Sequence, residues 1–285
     1  MTGSTRLSGV SRRRRFTDRA MTLVCGAAVA LALIPVVSVL ALAIGRGARA
    51  LSIGFFTHLP APGGESGGMA NAIVGSLFLV GLAALVGIPF GIGAGLYLAE
   101  RGDGRVGQAL RFVTEVLAGV PSIVIGVVAY GLFVLPMGRF SALAWAAALA
   151  MIMIPTLARA TEEVVRLVPR ALREASLALG VPAWRTSVWV VLRTALASLV
   201  QVCLLVIARA AGETAPLLFT SLNNQHWNFR VDQPTASLTV QIFNYAFSPY
   251  EEWHDQAWAG ALVLICFVSA LSLLARGTLG RRAGA

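Results

Sequence analysis

The sequence predicts an all-α, polytopic membrane protein that crosses a bilayer six times, and three observations carry that expectation. The chain has 285 residues, 57% hydrophobic and 13% charged, with a mean hydropathy of +0.76. A soluble domain of this size carries roughly twice the charge. Its apolar residues gather in runs that approach or exceed the roughly 20 residues needed to cross hydrocarbon at about 1.5 Å per residue. The arginines between those runs alternate from rich loops to poor ones.

The first run, Met21 to Ile44, follows the four arginines 12–15. A secretory signal has an apolar core of about 7–15 residues, so this longer run reads as a retained span after a tail at 1–20. A loop at 45–69 leads to the second span, about Ala70 to Ala99. The third covers Phe112 to Leu135 and the fourth Ala142 to Ala158. The fifth begins after Arg193 and continues to about Phe219, and the sixth is Ala257 to Ala275, leaving a tail at 276–285.

All 23 basic residues are Arg. On this arrangement the two tails and the loops after spans two and four hold most of them. The other loops hold only Arg46, Arg49, Arg139 and Arg230. Positive residues favour the cytoplasmic side, so both termini are expected inside. The pI of about 11.1 then reads as topology rather than nucleic-acid binding.

Span two carries Gly87, Gly91 and Gly95 at every fourth residue, with Pro89 between the first two. Small residues at that spacing let helices approach closely. Ordinary packing with a kink at Pro89 and a role in lining or gating a path both fit. In span three, Pro121 and Ser122 sit within Gly119–Gly126, where a bend is expected. Outside the spans, 60–68 is rich in Pro and Gly and reads as a flexible stretch. Residues 220–256 are dense in aromatics, which suits the headgroup layer or a docking surface for an outside partner.

The absence of Lys excludes a phosphate-gripping P-loop, so the chain cannot hydrolyse nucleotide by that route. Cys25, Cys203 and Cys266 lie in apolar runs as small hydrophobes. His58, His226 and His254 have no metal-ligand spacing, and no metal or cofactor is expected in the chain.

Arg209 and Glu213 stand in an otherwise apolar stretch, four residues apart and thus on one face of a continuous helix. A charge at the centre of a membrane helix costs about 2.5–3.5 kcal/mol on insertion scales and faces a partner or a watery path. Arg grips oxyanions through a planar fork of donors, so the pair points to an anion; a pair that only ties helices together is the alternative. Arg209 lies sixteen residues beyond Arg193, about 24 Å along a straight helix. A break near Thr214–Pro216 would move it.

Between spans four and five, residues 160–193 hold a short amphipathic stretch, opened by Pro169 and closed by Gly180. It suits a helix-in-groove contact or a helix lying on the lipid surface. Here a resemblance adds to the reading. Glu174-Ala175-Ser176 followed by Gly180 resembles the EAA loop of ABC importer permeases, with Ser176 in place of the second Ala and Leu192-Arg193 in place of the usual Leu-Pro. Residues 209–218 resemble the signature of PstA-type permeases of phosphate importers. Residues 119–126 and 234–245 are similar to that subgroup too.

The resemblance implies a MetI-like fold in a bacterial cytoplasmic membrane, serving phosphate import. It implies a coupling loop (Arg173, Glu174, Ala175, Ser176, Gly180) docked on a PstB-type ATPase dimer that holds ATP-Mg. A PstC-type second permease and an external PstS-type binding protein complete the assembly within the lipid bilayer. Arg209, Glu213 and Thr214 become the substrate pathway, with Glu213 neutralising Arg209 when no anion is present. A sulfate or molybdate permease, a gradient-driven transporter and a channel are the competing readings.

Overall fold

A membrane offers the backbone no water, so each apolar run closes its hydrogen bonds on its own turns. The computed structural model describes residues 12–63 and 67–280, and every regular element among them is helical. In chain order they are α1 (Arg12–Ala50), α2 (Ile53–Thr57), α3 (Ala70–Arg101), α4 (Arg105–Gly119) and α5 (Ser122–Met137). There follow α6 (Ala142–Arg166), α7 (Arg170–Ala178), α8 (Ala183–Ala211), α9 (Ala215–Thr220), α10 (Leu238–Ala246) and α11 (Glu251–Gly280). The helices α1, α3, α6, α8 and α11 are long and apolar enough to cross a membrane. The pair α4 and α5 passes the same test only when taken together, bent by 105° at Val120–Pro121, so the described residues hold five such helices, or six with the bent pair as one span.

The spans run past their expected ends. Hydropathy marks only the apolar part of a helix, whereas the backbone ladder continues through Arg, itself a good helix former. Thus α1 includes the arginines 12–15 and reaches Ala50, and α6 continues to Arg166. The largest correction concerns span five. It begins at Ala183 rather than after Arg193 and ends at Ala211 rather than Phe219. Where the family's usual Pro is replaced by Arg193, α8 runs on unbroken, after a widened π-helical turn at Thr186–Val191. Residues 1–11 and 281–285 of the two tails lie outside the described residues.

The seam between α3 and α6 is the most extensive helix packing. Gly75, Leu79, Ala83, Gly87, Gly91 and Gly95 form a buried stripe on α3 at every fourth residue. Opposite lie Trp145, Leu149, Met153 and Leu157 of α6, joined in one core by Val206 and Ala210 of α8 and Leu217 of α9. A Cβ on Gly91 would stand 2.5 Å from the Leu157 Cβ, and one on Gly95 would stand 2.5 Å from the Thr161 Cβ. Within this chain the glycines therefore serve close packing, while Pro89 is exposed and α3 passes through it without a break.

The stretch expected to be flexible is pinned on both sides of residues 64–66, which lie outside the described residues. Phe55 and Met69 are fully buried, and the Met69 amide donates to the Phe55 carbonyl at 2.9 Å. The Gln256 side chain donates to the Gly67 carbonyl at 3.2 Å. By contrast, α1 touches the body mainly near Ala43 and Gly47 against α11, and leaves most of its apolar side chains exposed.

Candidate functional site: a helix break and an arginine-rich end

Arg209 occupies the last turn of α8, where the helix C-terminus favours a cation. The helix stops at Ala211, with the Gly212 amide donating to the Arg209 carbonyl at 3.1 Å. Glu213 follows outside the helix. The expectation that Arg209 and Glu213 share a helical face is thus overturned, because that face ends one turn too early. The two side chains form no ion pair among the described residues. Arg209 is exposed on the protein surface, whereas Glu213 and Thr214 are half-buried. The break expected near Thr214–Pro216 is present, and α9 restarts at Ala215 with Pro216 in its first turn, where a missing N–H costs nothing.

Three separated stretches meet at this break. Gly126 of α5 lies against Pro216, where a Cβ would come within 2.8 Å of the Pro216 Cα. The Thr239 hydroxyl of α10 donates to the Glu213 carbonyl at 3.3 Å. Behind them the Asn223 amide donates to Gln241, which is fully buried, and the Ser221 hydroxyl donates to the Thr235 carbonyl at 3.3 Å. Residues 119–126, 209–218 and 234–245, separate in the chain, meet in one packed unit around the helix break. Pro121 is exposed at the α4–α5 bend and Ser122 is half-buried beside it.

At the other end, α7 stands on the body through two of its residues. The Arg173 guanidinium pairs with Glu100, at the end of α3, at 3.1 Å, and donates to the Val165 carbonyl at 2.8 Å. The Ser176 hydroxyl shares a buried hydrogen bond of 2.9 Å with Thr186. Glu174 and Ala175 face solvent, as do Leu177 and Leu179. Gly180 takes a φ of +77°, a left-handed conformation that costs other residues about 1–2 kcal/mol, and so ends α7 sharply. The helix is therefore presented outward, with its anchors and its free face on different residues.

Sequence reasoning missed the ionic cluster beneath it. Glu162, only 8% exposed, accepts from Arg111 of α4 and forms an ion pair with Arg166 of α6, both at 2.7 Å. Arg159 pairs with Glu115 at 3.1 Å. The spacing of Glu162 and Arg166, one helical turn, was the available signal; the partners on α4 were not, because they join only when the chain folds back at Val120–Pro121. At the opposite end Asp232 binds Arg230 at 3.1 Å and Arg139 at 3.3 Å. The Arg230 guanidinium holds the Asp232 carboxyl below its ordinary range, chiefly by hydrogen bonding, with its charge adding to this against the opposing effect of desolvation.

Helices long and apolar enough to cross a membrane, a broken helix carrying an exposed arginine and a short outward-facing helix are the setting for the family match. Residues 87–280 match the family described as binding-protein-dependent transport system inner membrane component, and the chain belongs to that family. Its fold is similar to that of a MetNI methionine ABC transporter chain solved in an inward-facing conformation. That likeness has a TM-score of 0.61 at 17% identity and covers 74% of this chain and 95% of that one.

Nearer relatives are more particular. The phosphate transport system permease protein PstA of Xylella fastidiosa is 42% identical over 272 residues, covering 95% of this chain and 94% of its own. PstA of Yersinia pestis is 44% identical over 235 residues, covering 82% and 80%. PstA 1 of Mycobacterium tuberculosis is 39% identical over 269 residues, covering 92% and 88%. This chain is accordingly a multi-pass membrane permease subunit.

Proposed function

We propose that the chain forms half of the translocation pathway of an ATP-driven importer of inorganic phosphate. The observation that carries this reading is Arg209, an exposed guanidinium with no ion-pair partner among the described residues, at the end of a membrane helix. A charge left bare there would be costly, so it faces an aqueous path or a second permease rather than lipid. Phosphate at neutral pH is a mixed mono- and dianion, and charge-assisted, bidentate hydrogen bonds from Arg suit it. Glu213 and Thr214 stand in the break itself, directly after the turn that carries Arg209. A carboxylate close by but not paired with Arg209 keeps the anion from binding too tightly to leave.

Both termini and the α7 end lie in the cytoplasm on this reading, because most of the arginines lie there. A PstB-type ATPase dimer then docks on Glu174, Ala175 and the exposed apolar residues of α7, and holds ATP-Mg. A PstC-type permease completes the path, and a PstS-type binding protein delivers phosphate to the opposite end. In α8, Arg209 stands in the last turn, on the outer side of the bilayer midplane.

Labelled-phosphate uptake into vesicles holding the whole complex, with and without ATP at the ATPase, tests the proposal. Uptake should require ATP and resist excess sulfate or molybdate, and Arg209→Gln should lower it at least tenfold at unchanged membrane abundance. Uptake without ATP, or undiminished in Arg209→Gln, refutes it; competition by sulfate assigns the path to another oxyanion.

A further inference from the structure

At the arginine-rich end of α8 lies a groove formed by Val188, Trp189, Leu192, Arg193 and Leu196. Its walls are almost wholly apolar, and Trp189 is 59% exposed. One charge stands in it. The Arg193 guanidinium lies over the Trp189 ring at 5.6 Å from the centroid. Eight residues earlier, about two turns of helix, Arg185 lies over Trp184 at 5.3 Å, and Trp184 is 58% exposed. Neither arginine makes an ion pair among the described residues, although other arginines at this end, such as Arg166 and Arg173, do. Stacking on indole fixes each guanidinium without neutralising it.

The direction of this face follows from helix geometry. Arg193 and Arg209 are sixteen residues apart in the regular part of α8, and at about 100° per residue they point about 160° apart. If Arg209 faces the translocation path, Arg193 faces away from it, towards lipid. Trp and Arg are the side chains that settle at the headgroup level, Trp by its amphipathic ring and Arg by charge. An apolar groove with one unpaired cation in it and a second two turns nearer the arginine-rich end matches one kind of molecule in both halves.

We propose that this groove is a binding site for an anionic phospholipid. An acyl chain lies along Leu192 and Leu196, and the headgroup phosphate is held between Arg193 and Arg185, at the height of Val188. The π-helical turn at Thr186–Val191 bears on this, because it widens α8 at the height where Trp189 leaves the helix. The site rests on the pathway reading only for the direction in which the groove faces.

The test is native mass spectrometry of the detergent-purified whole complex, titrated with phosphatidylglycerol and, separately, with phosphatidylcholine. Each basic residue near an anionic lipid surface contributes about a fivefold change in affinity. Arg193→Gln should therefore weaken phosphatidylglycerol binding about fivefold, and Arg185→Gln/Arg193→Gln about 25-fold, with phosphatidylcholine unchanged. Arg193→Lys, which keeps the charge, should retain most of it, and Arg105→Gln, an exposed arginine on α4, should match the parent. Equal loss of both lipids, or no loss, overturns the site. Loss of a protein subunit from the complex, with lipid retained, also overturns it and makes the groove a protein contact. Phosphate uptake by Arg209→Gln is scored separately, so a failed pathway reading with intact lipid selectivity is told apart from a failed lipid site.

Discussion

Gly91→Ala adds one methyl group at a tight point of the α3–α6 seam. The new Cβ would lie 2.5 Å from the Leu157 Cβ, whereas carbon atoms settle at about 3.5–4.0 Å. The two helices must part by about 1 Å, or Leu157 must leave its rotamer. Overpacking of this kind costs about 1–3 kcal/mol. The gain in helix propensity on replacing Gly returns up to about 1 kcal/mol, leaving a net loss of about 1–2 kcal/mol. Gly95→Ala should lose at least as much, because its Cβ meets both the Thr161 Cβ and the Ala158 carbonyl. Gly93→Ala is the internal control: nothing lies within 4 Å of its Cβ, so only the propensity gain remains. Thermal unfolding of the purified complex in one detergent, paired with uptake per folded molecule, reads the series. Gly93→Ala should melt at or above the parent, and Gly91→Ala and Gly95→Ala below it, with uptake per surviving molecule little changed. A Gly91→Ala protein as stable as Gly93→Ala would refute the packing argument. Parental stability with lost uptake would assign the glycine to gating.

Two further outcomes follow from the ends of the bundle. Arg173→Gln breaks the tie between α7 and Glu100 while leaving the exposed face of α7 intact. The ATPase should still bind and hydrolyse ATP, but phosphate moved per ATP should fall several-fold; an unchanged ratio would make Arg173 a mere surface charge. Reversing the pair, Arg173→Glu with Glu100→Arg, should rescue only in part, since the bond to the Val165 carbonyl is not restored. At the other end, the Asp232 carboxyl is depressed by Arg230 and Arg139. A depressed acid contributes in full above its unfolded value, and that contribution declines progressively as pH falls from there and is gone below the lowered value. Proteolysis of the 220–237 segment should thus quicken progressively as pH falls below the ordinary aspartate range, and Asp232→Asn should be cut faster at pH 7. A parent whose protection is lost in full already at the ordinary aspartate range contradicts the assignment.

Much of the architecture could be read from residues alone because membrane folding separates two problems. Apolar runs long enough to span become helices wherever they sit, and the Pro121 bend, the Gly180 stop and the break at Thr214–Pro216 are local backbone chemistry. What misled was span five. Hydropathy placed its start after Arg193, but Arg185 and Arg193 stack on Trp rings and stay in a continuous helix. At its other end the local break before Pro216 stops the helix at Ala211 and removes Glu213 from the face of Arg209.

The sequence by itself determined that this protein lives in a membrane, that it has no P-loop of its own, and which short segments carry chemistry. Only the tertiary structure decided what those segments do to one another. Helix propensity and hydropathy act over a turn or two. The meeting of Gly126 with Pro216, of Arg173 with Glu100 and of Arg111 with Glu162 joins residues 51 to 90 positions apart. Such pairs depend on how closely α3 can lie against α6 and on where α4 folds back. Those are properties of packed surfaces, which no local pattern encodes.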